Sequence, residues 1–415
     1  MKKNTPSIYF FLIILFAGFS NKAQNSDLLF RYHSGSYNSM GETGIAASQS
    51  ISSFDLNPAT LINPSSINIS FSQKVKFYSY DLDRISSTVG GTTFVWDKTQ
   101  WSFEHGALTY PVTGNLIVGV GVFQKLNPQL INKKRAVTFS DLFTQETSGS
   151  VYAAAGTICY SFSNSFSAGL NVYKYFGTIT SSVVGDNHGN DADKWANLAS
   201  KLSGINLKLG LLLKQESWTA GLTVESPFKM NVDAAKQISA NRLYEYLFPN
   251  YESTDLNMPF VIGAGFSYKE SANWLFEADY ESRQYKSSDV QLNLYEFGGK
   301  PVWNNINILR AGVQYTTNGD YQIPFRAGYE YVPQLYYSGN STGQSNTVSN
   351  YVNTDRNIKH ILTLGTSLNI KKLVLDLAFE YSILKWHQVL VVPQTINDDY
   401  TDTNFSFSVG IVYKI

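Results

Sequence analysis

Along most of this chain apolar and polar positions alternate with a period of two. Ile205, Leu207, Leu209, Leu211 and Leu213 are separated by Asn206, Lys208, Gly210 and Leu212. Phe166, Ala168, Leu170 and Val172 stand against Ser167, Gly169 and Asn171, and Phe405, Phe407, Val409, Ile411 and Tyr413 against Ser406, Ser408, Gly410 and Val412. Successive side chains of a strand point to opposite faces, so each stretch predicts a strand with one apolar face and one small or polar face. Fourteen such strands are predicted, over 66–80, 101–110, 115–125, 150–162, 166–178, 201–214, 217–228, 258–269, 274–286, 305–316, 321–333, 358–370, 372–386 and 403–414.

The connections sort by length. Short turns such as Thr113-Gly114-Asn115, Ser163-Asn164-Ser165, Gln215-Glu216 and Lys371-Lys372 alternate with connections of about 15 to 30 residues. Short turns at one end and long loops at the other, with an even strand number, are expected of an outer-membrane β-barrel. The predicted fold is therefore all-β, a transmembrane antiparallel barrel of about 14 strands, with 84–97 in the first outer loop. Two other outer loops predict short amphipathic helices. Residues 191–202 space Trp195, Leu198 and Leu202, and residues 231–247 space Ile238, Leu243 and Leu247, at helical intervals.

Composition agrees with this picture. Only 15% of the 415 residues are charged and 14% are aromatic, against about 25% charged in an average soluble protein. The 32 basic residues balance 32 acidic ones, and without a basic tract nucleic-acid binding is excluded. The single cysteine, Cys159, rules out an intramolecular disulfide framework and a Cys-based zinc cluster. Lys2 and Lys3 precede an apolar run from Ile8 to Phe19 that ends near Ala23. That is the pattern of a secretory signal peptide over residues 1–23, too short to span a bilayer.

Residues 24–65 look like neither strand nor tail. They contain Ser39-Met40-Gly41-Glu42-Thr43-Gly44-Ile45-Ala46 and then Asn57-Pro58-Ala59. Glycine permits tight turns and Pro58 fixes one backbone angle. A compact segment of this kind ahead of a barrel (residues 66–415) is expected inside the lumen as a plug, or hatch. Here the sequence resembles the FadL family of outer-membrane transporters for long-chain fatty acids and other hydrophobic molecules. The resemblance rests on the MG-x-x-G-x-A stretch, the NPA motif, and the later hairpin Leu309-Arg310-Ala311-Gly312-Val313-Gln314-Tyr315 with Phe325-Arg326-Ala327-Gly328-Tyr329-Glu330-Tyr331. It implies passive uptake of a hydrophobic small molecule across the outer membrane of a Gram-negative bacterium, by a monomer surrounded by outer-membrane lipid and needing no cofactor. The related PorV branch implies an alternative, a secretion-associated barrel that binds an exported protein.

No catalytic or metal-binding constellation appears. The five histidines are dispersed, and neither an HExxH, a GxSxG nor a P-loop is present. The chain is not expected to be an enzyme. Candidate site residues are the hatch motif Asn57, Pro58 and Ala59, an apolar landing groove of Trp195, Leu198, Leu202, Ile238, Leu243 and Leu247, and Arg310 and Arg326. Strand parity turns both arginines inward with Lys208, Glu225, Glu277, Asp279, Glu330, Asp376 and Glu380. Such charges either form ion pairs that hold barrel and plug together, or leave one arginine to capture a ligand carboxylate.

Overall fold

The computed structural model describes residues 35–47, 51–61, 66–86, 90–127, 130–135, 142–186, 194–238, 254–288, 305–319, 321–333, 350–352, 358–391 and 395–415. The expected signal peptide, residues 1–23, lies outside them. Eighteen extended segments form one antiparallel sheet, and four of them continue a neighbour past a break, so the wall has fourteen staves. In chain order these are β1 Asn68–Ser86, β2 Gly90–Pro111, β3 Leu116–Leu126 continued by Leu130–Arg135, β4 Leu142–Ser161, β5 Phe166–Asp186, β6 Lys194–Lys214, and β7 Trp218–Glu225 continued by Phe228–Ile238. They go on as β8 Thr254–Met258 continued by Val261–Lys269, β9 Trp274–Arg283, β10 Ile306–Thr316, β11 Pro324–Pro333, β12 Asn350–Val352 continued by Ile358–Ile370, β13 Leu373–Val391 and β14 Thr395–Lys414.

The first stave pairs with the last, in a register that runs from Asn68 opposite Lys414 to Ser86 opposite Ile396. That pairing closes the sheet and leaves neither of the two unpaired edges that an open sheet presents. At one end the staves join by tight turns closed by backbone bonds, among them Val112 N–H to Leu116 O (2.8 Å), Phe162 N–H to Phe166 O (2.9 Å) and Gln215 N–H to Trp218 O (2.8 Å). This is the turn end, and the opposite one is the loop end. Outward faces carry the apolar residues of the alternation, Leu207, Leu209, Phe266 and Leu364 among them, all exposed. Inward faces carry the small, polar and charged ones, such as Ser70, Asn171, Lys208, Asp279 and Ser406, all buried.

The strand ranges expected from alternation match the turn-end portions of the staves. Toward the loop end the staves run longer. β1 and β2 continue through 84–86 and 90–97, so most of the segment assigned to the first outer loop extends the first hairpin. The two expected helices are also corrected. Residues 194–202 belong to β6, and 231–238 to β7, paired in the register Ala196–Ile238, Leu198–Lys236 and Leu202–Val232. Residues 191–193 and 239–247 lie outside the described residues. The interval of four from Leu198 to Leu202 is a multiple of two as well as close to one helical turn. It therefore fits either element, and ladder bonds to the neighbouring stave decide.

Candidate functional site

Residues 38–47 and 53–61 are buried, and their bonds run to the inward groups of many staves. Short 3₁₀ helices over Gly35–Met40, Ile51–Asp55 and Pro58–Thr60 give this stretch its shape. The last is built by the NPA motif. Asn57 is its N-cap in an extended conformation (φ −143°), its side chain accepts from Ala59 N–H (3.0 Å), and Pro58 supplies the first helical position, where no N–H is missed. The same side chain donates from Nδ2 to Ile45 O (2.7 Å) and to Leu211 O of β6 (3.2 Å). Asn57 thereby joins the two halves of the N-terminal segment and fixes them to the wall. Ser167 of β5 donates to Ala59 O (2.7 Å).

Each half has its own anchorage. In the first, Asp279 of β9 accepts from Gly44 N–H (2.8 Å) and Ile45 N–H (3.0 Å) through one oxygen, Glu277 accepts from the Thr43 hydroxyl (2.9 Å), and Gly41 N–H donates to Thr363 Oγ1 of β12 (2.8 Å). Gly41 adopts φ +70°, and its backbone lies against that of Gly328, where a Cβ would strike Gly41 N and Met40 C. Only glycines allow two main chains so close. In the second half, Asp55 is paired with Lys125 of β3 (2.5 Å) with neither side chain exposed. The Tyr173 hydroxyl donates to Asp55 Oδ1 (3.0 Å), Lys208 Nζ to Asp55 O (3.0 Å), and Asn171 Nδ2 to Phe54 O (2.7 Å).

Further inward charges form pairs along the wall. Arg310 meets Glu281 (3.3 Å) and Glu330 (3.6 Å), Glu281 also meets Arg283 (2.5 Å), and Lys208 meets Glu225 (3.2 Å). Lys74 lies between Glu104 (2.9 Å) and Glu380 (3.2 Å). Arg326 faces Asp376 (3.6 Å) and donates to Gln314 (2.7 Å) and Ser367 (2.5 Å). Every inward charge expected from parity is on the inner face, Arg326 being the least covered. Arg310 and Arg326 each already face a carboxylate.

Above this polar level, toward the loop end, the inner face turns apolar. Tyr175, Leu202, Met230, Met258, Ile306 and Ile308 are buried in one cluster, with Tyr175 stacked on Phe228 at 4.9 Å. Leu198 and Leu202 of the expected landing groove face inward on β6 and are buried. Trp195 lies on β6 and Ile238 at the end of β7, not on helices, while Leu243 and Leu247 fall outside the described residues. Asp55, Lys125, Glu104 and Glu281 were not singled out from the sequence. Glu104 sits at an irregularity of the β1–β2 pairing that puts it and His105 both inward, and Lys125 sits at one in the β3–β4 pairing. An inserted residue breaks the parity on which the inward assignment relies.

A closed ring of fourteen antiparallel staves, with an N-terminal segment bonded to its inner face, is a β-barrel of the FadL type. Residues 30–409 match the model of the BamG family, itself FadL-like, and the chain belongs to that family. No curated protein matches the sequence. Among solved structures, a FadL homologue from Pseudomonas aeruginosa aligns with a TM-score of 0.64 at 12% identity, over 93% of this chain and 99% of that one. The P. putida toluene transporter TodX aligns with 0.61 at 14% over 93% and 99%, and the Ralstonia pickettii toluene transporter TbuX with 0.56 at 15% over 92% and 98%. At such identities the likeness is one of fold.

Proposed function

We propose that this protein sits in the outer membrane of a Gram-negative bacterium and lets hydrophobic small molecules in passively. The observation that carries this reading is the apolar cluster on the inner wall, directly above the ion-paired level and the N-terminal segment. A ligand poorly soluble in water enters from the loop end and gains roughly 25 cal/mol per Å² of apolar area removed from water. The few polar groups beneath it set orientation. Residues 24–65 act as the hatch, with Asn57, Pro58 and Ala59 as its fastening, and its displacement opens the way onward.

The carboxylates facing Arg310 and Arg326 bear on the choice of ligand. A fatty-acid headgroup would have to displace one of them, whereas an uncharged hydrophobe meets no such competition. Uncharged hydrophobes are therefore the favoured cargo, and long-chain fatty acids the second. The test is uptake of radiolabelled toluene and oleate by cells with and without the gene. Faster entry of toluene is expected, and rates equal to the deletion strain for both probes would overturn the proposal.

A second reading is favoured by the burial of most inward groups at the level of the N-terminal segment, Lys125, Asn171, Lys208 and Asp279 among them. A barrel so filled would act through its surface, as a secretion-associated barrel holding an exported protein. Cross-linking in intact cells that captures one exported protein, with no effect on toluene or oleate entry, would select that reading.

A further inference from the structure

On staves β5 to β8 the two faces exchange character part-way along their length. On β6 the outward residues from Leu213 to Ile205 are all leucine or isoleucine and all exposed. Beyond Gly204 the outward position at Lys201 is a lysine, also exposed, while Leu202 and Leu198 turn inward and are buried. β7 repeats the change, with Lys229, Asn231, Asp233 and Gln237 exposed outward and Met230 buried inward. So does β8, with Asp255 and Asn257 outward and Leu256 and Met258 inward.

The level of the exchange is marked in the backbone. β7 is broken at Ser226-Pro227 and β8 at Pro259-Phe260, and the breaks face each other, since Glu225 pairs with Val261 on one side and Phe228 with Met258 on the other. Each break inserts one residue, so the inward set passes from Glu225 to Phe228 and Met230, and from Val261 to Met258. On β5 the level falls just past Lys174, opposite Ile205, and the exposed Phe176, opposite Ser203, with Thr178 the next outward position; the long stem of Lys174 can carry its ammonium toward water.

We propose that hydrocarbon covers staves β5 to β8 only between the turn end and this level, and that beyond it the same staves stand in water as a collar around an apolar core. Length requires it. A strand crosses a bilayer in about 9–11 residues, which β9, β10 and β11 match with 10, 11 and 10 residues. β5 and β6 have 21 each. From Leu213 to Ile205 the strand rises about 26 Å at ~3.3 Å per residue, and at a tilt of ~40° this covers roughly 20 Å of the ~25 Å apolar band. Exposed Tyr160, Phe162, Phe166, Tyr268 and Trp274 at the turn end supply the aromatic girdle of the opposite boundary. Were the collar in lipid, Lys201, Lys229, Asp233 and Asp255 would all face hydrocarbon. A charged side chain facing hydrocarbon at mid-depth is destabilising. Lys229 and Asp255 instead form a solvent-exposed pair at 3.4 Å.

The inference uses only the membrane-spanning part of the proposed function and is independent of any ligand. Single cysteines at Lys201→Cys, Asn231→Cys and Asn257→Cys, and at Leu207→Cys, Leu211→Cys and Phe266→Cys, would carry a nitroxide in the full chain reconstituted into phosphatidylcholine nanodiscs. The buried Cys159 makes the unsubstituted chain the blank. The first three sites are expected to collide more with a water-soluble nickel chelate than with oxygen, and the last three the reverse. Oxygen-dominated collisions at all six would overturn the collar while leaving the membrane span intact. Nickel-dominated collisions at all six would overturn the span and the collar together.

Discussion

Asp55 and Lys125 meet with no exposure to water, and a pair in that setting is worth more when intact than either partner alone. Removing one leaves an unpaired buried charge, at a cost of about 3–5 kcal/mol. Lys125→Met should therefore lower the urea midpoint of the folded barrel markedly, and the double substitution Lys125→Met with Asp55→Leu should recover most of the loss. A double variant no more stable than the single one would remove the pair from this role. Asn57 makes a different kind of contribution, since its side chain caps a turn and ties two stretches together. Asn57→Ala should cost the turn about 1 kcal/mol. The Ala59 amide would then exchange with deuterium roughly fivefold faster, while exchange in the staves stays unchanged.

At the scale of elements, fit between the N-terminal segment and the wall depends on backbone approach. A Cβ on Gly328 of β11 would occupy the space of Met40 and Gly41. Gly328→Val should expel residues 39–44 from the inner face without unfolding the staves. Limited proteolysis should then cut within 35–47, while the protein keeps the heat-dependent gel mobility of a closed barrel. The outward face obeys another rule. Leu209→Arg places a charge mid-way along the exposed apolar run of β6 and should destabilise the barrel in lipid vesicles by about 2–4 kcal/mol, read from urea unfolding.

Strands of this kind are legible because a buried, polar inner face and an exposed, apolar outer face impose a period that local sequence must follow. Number, order and short turns of the staves could all be read that way. Length toward the loop end could not, because beyond Gly204 the faces of β6 exchange and the apolar run no longer marks the outward side. The segment 191–202 fails for a related reason, since leucines four apart satisfy strand and helix alike. For the N-terminal residues, motif and proline announced an ordered turn at Asn57-Pro58. Their partners, Lys125, Tyr173 and Asp279, lie on staves far along the chain, and no local pattern records such pairings.

For the whole molecule, the pairing of β1 with β14 fixes an order of events. Gly41 donates to Thr363, 322 residues away, and Gly44 to Asp279, 235 away. Neither bond can exist until most of the polypeptide has arrived, and contacts so distant in sequence are slow to form. The residues that emerge first are thus among the last to find their places. Once the seam shuts, the ring has no lateral edge left, so from then on the segment reaches its place only through an open end of the barrel. An assembling chain would hold β1 unpaired on one side throughout, and whatever shields that strand during its wait governs how much barrel is made.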